Sequence, residues 1–178
     1  MVGMSVLTGC GGSSNGPAGA PLPAHPGAPG EDSSATGAVT AAPEVDDSPA
    51  AAAAVVEAYF REINDATRGG RLATTGPTAL DGCQTCALDV GVSRSLQERG
   101  LHAASAAYQV TDLTAQPRVG LVASVAFTLR TSTVELLDAA GRQVCDAPGV
   151  PTRAATAELA LTERGWRIQT LRYAPAPA

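Results

Sequence analysis

Apolar residues fall at three- and four-residue spacing in the first half of the folded stretch, and after Leu101 the spacing drops to two. Val55, Val56, Tyr59, Phe60 and Ile63 form one stripe, which predicts an amphipathic helix of about five turns. Ser48 and Pro49 supply a hydroxyl cap and a first-turn proline whose missing N–H costs nothing there. Glu57 and Arg61 support the opposite face at four-residue spacing. Arg68 places positive charge near the C-terminal dipole before Gly69 and Gly70 end the helix. Turn formers at Gly76, Pro77 and Gly82 leave room for one helical turn at most over residues 78–81. A second helix is expected from Cys86 to Arg99, with Leu88, Val92 and Leu96 on its buried face and Gly100 as its stop. Gly91 weakens it by about 1 kcal/mol relative to Ala.

The period-two region predicts strands. Tyr108 and Val110 open one that runs through Leu113 to a turn at Gln116 and Pro117. Val119, Leu121, Ala123, Val125, Phe127 and Leu129 then alternate with Gly120, Ser124, Thr128 and Arg130 as a long half-buried strand. It continues, bent, through Val134 and Leu136 to a turn at residues 138–141, from which residues 142–145 return. Pro148, Gly149, Val150 and Pro151 interrupt the pattern. Ala155, Ala157, Leu159 and Leu161 resume it, and Glu163, Arg164 and Gly165 turn the chain into a last strand from Trp166 to Tyr173. The proline-alternating residues 174–178 read as a frayed tail. Helices followed by an antiparallel meander imply an α+β domain over residues 50–173, with a curved sheet wrapped onto the helices.

Composition adds a second region. Of 178 residues, 44% are hydrophobic but only two are Phe, three Tyr and one Trp, so the core is built mainly from Ala, Val and Leu. The net charge of −5 lies wholly in the first fifty residues, on Glu31, Asp32, Glu44, Asp46 and Asp47; beyond them acids and arginines balance, and there is no Lys. A neutral, Lys-free body lacks the footprint of a nucleic-acid binder. No stretch approaches the ~18 apolar residues of a membrane span. Residues 11–49 are Gly, Pro, Ser, Ala and acids without periodicity, a composition that cannot bury enough surface to offset chain entropy. They read as a disordered tether, with His25 a solvated residue inside it.

Ahead of that tether, Leu7, Thr8, Gly9 and Cys10 resemble the lipobox of bacterial lipoproteins. The resemblance implies diacylglycerol on Cys10 and a domain held at the outer face of the cell membrane. No basic segment precedes the lipobox and the apolar run is shorter than the usual ~7 to 15 residues, so the natural start is expected upstream of Met1. A long N-terminal helix, further short helices, a four-strand meander and a terminal strand entered through Gly165, Trp166, Arg167 and Ile168 resemble the cone-shaped nuclear-transport-factor-2-like fold of ketosteroid isomerases and SnoaL-like cyclases. With the lipobox and tether, the Cys83-Gln84-Thr85-Cys86 element further resembles a family of actinobacterial lipoproteins, whose high-GC genomes suit an Arg-only, Ala-rich chain.

Cys83 and Cys86 are open to three readings. Export into an oxidising milieu favours a structural disulfide. Zinc would need two further ligands, and only His102 and Cys145 are at hand. Redox chemistry would exploit a thiol at a helix N-terminus, but no strand precedes Cys83 and Gln84-Thr85 is not the apolar or proline pair of redox enzymes. With Cys10 lipidated, Cys145 is left over. Within a cone, Tyr108 and Asp112 share one parity of the first long strand and are candidates for a pocket, with His102 at its rim. No catalytic triad, phosphate loop or metal-ligand set is visible, and no cofactor is implied. The expected function is a non-catalytic binding module of the cell envelope, taking a small apolar ligand or an envelope protein. The alternative is an extracytoplasmic isomerase or hydratase using the cone pocket.

Overall fold

The computed structural model describes residues 45–175. The lipobox with Cys10, His25 and the expected tether up to residue 44 lie outside them. Helix α1 spans Pro49–Arg68, and Ser48 caps it as expected, its Oγ accepting from the Ala51 N–H at 3.1 Å. Its stripe is core: Val56, Tyr59, Phe60 and Ile63 are all buried. After a single turn at Thr75, residues 78–80 run alongside the last strand, where Ile168 both donates to Thr78 O and accepts from the Leu80 N–H.

Helix α2 spans Gln84–Glu98, and the Cys83 sulfur is its N-cap, accepting from the Cys86 N–H at 3.3 Å. The buried face differs from the expected one. Cys86, Ser93 and Leu96 point inward, whereas Leu88 is 75% exposed and Val92 43%. Ser93 explains the rotation. Its Oγ accepts from the Ala73 N–H at 3.0 Å and donates to Val90 O at 2.7 Å, satisfying an inter-helix backbone group that an aliphatic side chain would orphan.

Among the described residues seven strands follow: β1 (His102–Ala103), β2 (Tyr108–Ala115), β3 (Val122–Thr131), β4 (Val134–Leu137), β5 (Gln143–Ala147), β6 (Val150–Thr162) and β7 (Gly165–Tyr173). Antiparallel pairing gives a four-stranded sheet in the order β2-β3-β6-β7 and a three-stranded sheet in the order β1-β4-β5. The chain crosses from the first sheet to the second between Thr131 and Val134, the bend expected from the sequence. Gly149 sits against that crossing. A Cβ there would lie 2.5 Å from Thr131 O and 2.8 Å from Thr133 N, so only glycine fits. The strand after the crossing region begins earlier than expected, because Val150 already pairs with Thr131.

The start of β3 is a second difference. The alternation puts Val119 and Leu121 on its core-facing parity, but the strand begins at Val122 and both residues are exposed. Val125, Phe127 and Leu129 of β3, Ala157 and Leu159 of β6, and Ile168 and Leu171 of β7 close over the α1 stripe as one core. Phe60 packs edge-on against Tyr59 and Phe127, with ring centroids 5.1 and 5.6 Å apart. A smaller core of Leu96, Leu101, Ala103, Val134 and Leu136 lies under the three-stranded sheet.

Candidate functional site

Asp89 is the unexpected residue of α2. It lies on the inward side, three residues after buried Cys86 and four before buried Ser93. Two phenols meet its carboxylate from different elements. The Tyr173 hydroxyl of β7 donates to Oδ2 at 2.6 Å and the fully buried Tyr59 hydroxyl of α1 donates to the same oxygen at 3.0 Å. Among the described residues nothing donates to Oδ1. Arg153 of β6 holds the same parity as buried Ala155 and Ala157, and its guanidinium carbon lies 4.0 Å from the centroid of the Tyr173 ring, within cation–π range.

Electrostatics follows from burial. Loss of solvent pushes the Asp89 pKa above the ordinary carboxylate range, although the two phenol bonds and the nearby Arg153 charge pull it back. Burial, and then the Asp89 charge, raise the pKa of both Tyr59 and Tyr173, so the phenols stay protonated and act as fixed donors. Tyr108 is raised by the same two causes, against the opposing pull of Arg153. Two of the three tyrosines of the chain therefore hold one carboxylate, and the third, Tyr108, feels its charge. Such a group can carry a proton. It also ties α1, α2 and β7 together.

A partly enclosed space lies beside this cluster and not around it. A cavity of about 200 Å³ opens between α2, the three-stranded sheet and the start of β6, with Leu96, Val134, Leu136, Ala147 and Val150 among its walls. Tyr108 lines it, and so does half-exposed Val92, one helical turn after Asp89, but Asp89 itself is not part of the wall. Its size falls below the roughly 300–1,000 Å³ of drug-sized pockets and near the ~150 Å³ apolar cavity that accepts benzene.

Of the three candidate pocket residues, only Tyr108 reaches this cavity. Asp112 is exposed, not interior: it takes φ +54° at an irregularity between Thr111 and Thr114, and the bulge breaks the parity it was expected to share with Tyr108. His102 belongs to β1, paired with Leu137, and borders a shallow hollow with Arg68, Gly69 and Ala139. Cys83 and Cys86 are joined in a disulfide with Cα atoms 5.2 Å apart. Both sulfurs are thereby withdrawn from zinc ligation. Cys145 is free and exposed on β5.

Solved structures resemble the chain at the level of the fold. The intermembrane space region of the chloroplast protein ARC6 is 14% identical, with a TM-score of 0.51 over 72% of this chain and 98% of that one. The chain has the expected α+β fold, helices packed on antiparallel sheets. Aln2 from a Streptomyces species is 14% identical at a TM-score of 0.42, covering 67% of this chain and 84% of that one. An uncharacterised protein with a cystatin-like fold from Caulobacter vibrioides is 13% identical at 0.45, covering 71% and 89%. No protein-family model matches the chain, and no curated protein does. Likeness at these identities is one of fold alone.

Sequence reasoning missed Asp89, Tyr173 and Arg153. A signal was present for two of them. A carboxylate interrupts the Cys86–Ser93 stripe of α2, and an arginine stands two residues before the apolar alternation of β6. Neither marks a site until three elements meet.

Proposed function

We propose that this domain is a non-catalytic binding module of the cell envelope, tied to the outer face of the membrane through a lipid on Cys10 and taking a small apolar group in the cavity beside Tyr108. Membership of an actinobacterial lipoprotein family is part of this reading. The observation that carries it is where the free space lies. The cone interior is filled by Tyr59, Phe60, Ile63, Phe127 and Leu129, while the apolar cavity is left open next to it. A pocket of that size holds one benzene-sized or branched aliphatic group, the scale of a single anchoring side chain or a chain end.

Toluene and short fatty acids are suitable probes. Titrated into the full chain, they are expected to move the methyl resonances of Ala103, Ala107 and Ala147, and Ala147→Leu, which fills the space, is expected to abolish the effect. Asp112→Asn and His102→Ala are expected to leave binding unchanged. Resonance shifts absent from these methyls, or unaffected by filling, overturn the proposal. For the anchor, Cys10→Ser behind a full lipoprotein signal peptide is expected to move the chain out of the membrane fraction or to leave an uncleaved precursor.

One observation favours the alternative of an isomerase or hydratase. Asp89 combines a raised pKa, two fixed donors and an unbonded Oδ1, which suits a proton carrier. Turnover of an isomerisable or hydratable substrate that disappears in Asp89→Asn would establish that reading instead.

A further inference from the structure

The β2–β3 hairpin ends in an apolar tip that the core does not use. The Val119 N–H donates to Val122 O at 2.8 Å and the Val122 N–H to Val119 O at 3.2 Å, leaving Gly120 and Leu121 as a two-residue loop. Gly120 takes φ +62°, while Leu121 does not have positive φ. That is the glycine-first primed turn of tight hairpins. It lifts three aliphatic side chains into solvent: Val119 is 84% exposed, Leu121 63% and Val122 43%.

The position of the tip is fixed by two contacts. Arg118 Nε lies 2.8 Å from Asp47 Oδ2, and its Nη1 donates to Gly120 O at 2.7 Å. The tip is thereby held against the residue that precedes the α1 cap, where the chain enters the domain. The Leu161 N–H donates to Leu121 O at 2.8 Å, so the β6–β7 turn with exposed Arg164 stands at the same end. The β4–β5 turn lies at the other end of α1, bordering the hollow with Arg68 and Gly69. A helix of 20 residues separates the two ends by about 30 Å.

We infer that Val119, Leu121 and Val122 form a membrane-contacting tip that enters the lipid interface. The inference rests on the lipid-anchored reading for where the bilayer is. Residues 11–44 would join the lipid on Cys10 to this end of the domain and not to the opposite one, so the tip meets the bilayer as an intramolecular event at high effective concentration. Three neighbouring aliphatic side chains lie outside the folded core, and hydrocarbon is the surroundings that their chemistry favours.

The test separates the tip from the anchor. The full chain with Cys10→Ser, Cys145→Ser and an N-terminal histidine tag is tethered to phosphatidylcholine–phosphatidylglycerol vesicles bearing nickel-chelating lipid, so tethering does not depend on natural lipidation. An environment-sensitive fluorophore is placed through Leu121→Cys, and through Ala140→Cys as the control. Trp166 emission reports that both remain folded. The expected result is a blue shift and a several-fold intensity rise at position 121 on tethering, none at 140, and loss of the response when Val119→Ser and Val122→Ser are added. Burial of one such side chain is worth about a tenfold change or more in an equilibrium constant, so removing two is expected to reduce contact by at least about tenfold. An unchanged spectrum at 121, equal responses at 121 and 140, or a shift that grows with protein concentration without vesicles each overturn it, the last in favour of a second copy of this chain. Lipid on Cys10 is read separately, from the mass of the chain made in cells.

Discussion

Replacing Asp89 by Ala leaves two phenol hydroxyls without their acceptor, and the cost follows from where each one sits. Tyr59 is fully buried, and its only other acceptor among the described residues is Cys86 O at 3.5 Å, at the edge of hydrogen-bonding range. Tyr173 is half-buried and can turn to water. Bonds to a charged acceptor contribute about 1.5–3 kcal/mol each, and an orphaned buried donor costs about 1–3 kcal/mol. Against this, Ala removes a carboxylate that burial disfavours in its charged form. The balance is a loss of about 2–3 kcal/mol at pH 7, or roughly 6–12 °C in Tm for a domain of this size. Asp89→Asn keeps an oxygen for both phenols and discards the charge, so it is expected to lie within about 1 kcal/mol of the parent or above it. The pH dependence has a definite sign. The folded-state pKa is raised above the ordinary 3.8, so the contribution of this group is fully present below that value and is lost as pH rises through the folded pKa. Asp89→Asn, always neutral, should therefore gain on the parent as pH rises across that window and converge with it below. Urea unfolding followed through the single, buried Trp166 measures all three chains. An Asp89→Ala variant as stable as the parent, or an Asp89→Asn variant as weak as Asp89→Ala, would refute the reasoning.

Other substitutions test the packing directly. Leu88→Ser is expected to change stability by less than about 0.5 kcal/mol, and Leu96→Ala to cost about 2–5 kcal/mol, because Leu88 faces solvent and Leu96 the smaller core; equal effects in urea unfolding would contradict the face assigned to α2. Gly149→Ala is expected to cost about 1–3 kcal/mol, since its Cβ would press on backbone atoms of the β3–β4 crossing that cannot yield as a side chain does; a neutral result would show that the crossing is soft. Reducing the Cys83–Cys86 bridge is expected to cost toward the low end of the ~0–5 kcal/mol range, because so short a loop constrains little chain entropy, and to loosen mainly the first turn of α2. Hydrogen exchange that rises across the whole domain, or thiols that alkylate without reductant, would speak against this.

Local rules carried by neighbouring residues were enough for most of the elements, though not for the two-residue strand β1 or for where β3 and β6 begin. The α1 stripe with its Ser48 cap, the change of period after Leu101, the Gly165 turn and the pairing of Cys83 with Cys86 depend on spacings of a few residues. Periodicity and capping act over that range, so these features, and the α+β class that they imply, are legible in the chain. What tertiary structure decided is which of two faces an element turns inward. Leu88 and Val92 have the spacing of a buried stripe on α2, but Ser93 had a backbone N–H to satisfy on Ala73, twenty residues earlier in the chain, and the helix turned accordingly. Val119 and Leu121 continued a perfect alternation until a two-residue turn stopped the strand short of them. Asp112 lost its parity to a bulge in the pairing of β2 with its neighbour β3. Asp89 gains its two phenol donors only because α1 and β7 converge on α2, contacts separated by 30 and 84 residues. Burial raises its pKa and neighbouring donors hold its geometry, and both are properties of the packed chain. A sequence shows one carboxylate among seventeen acids; the closing of the sheet over the helices makes this one the centre of a cluster.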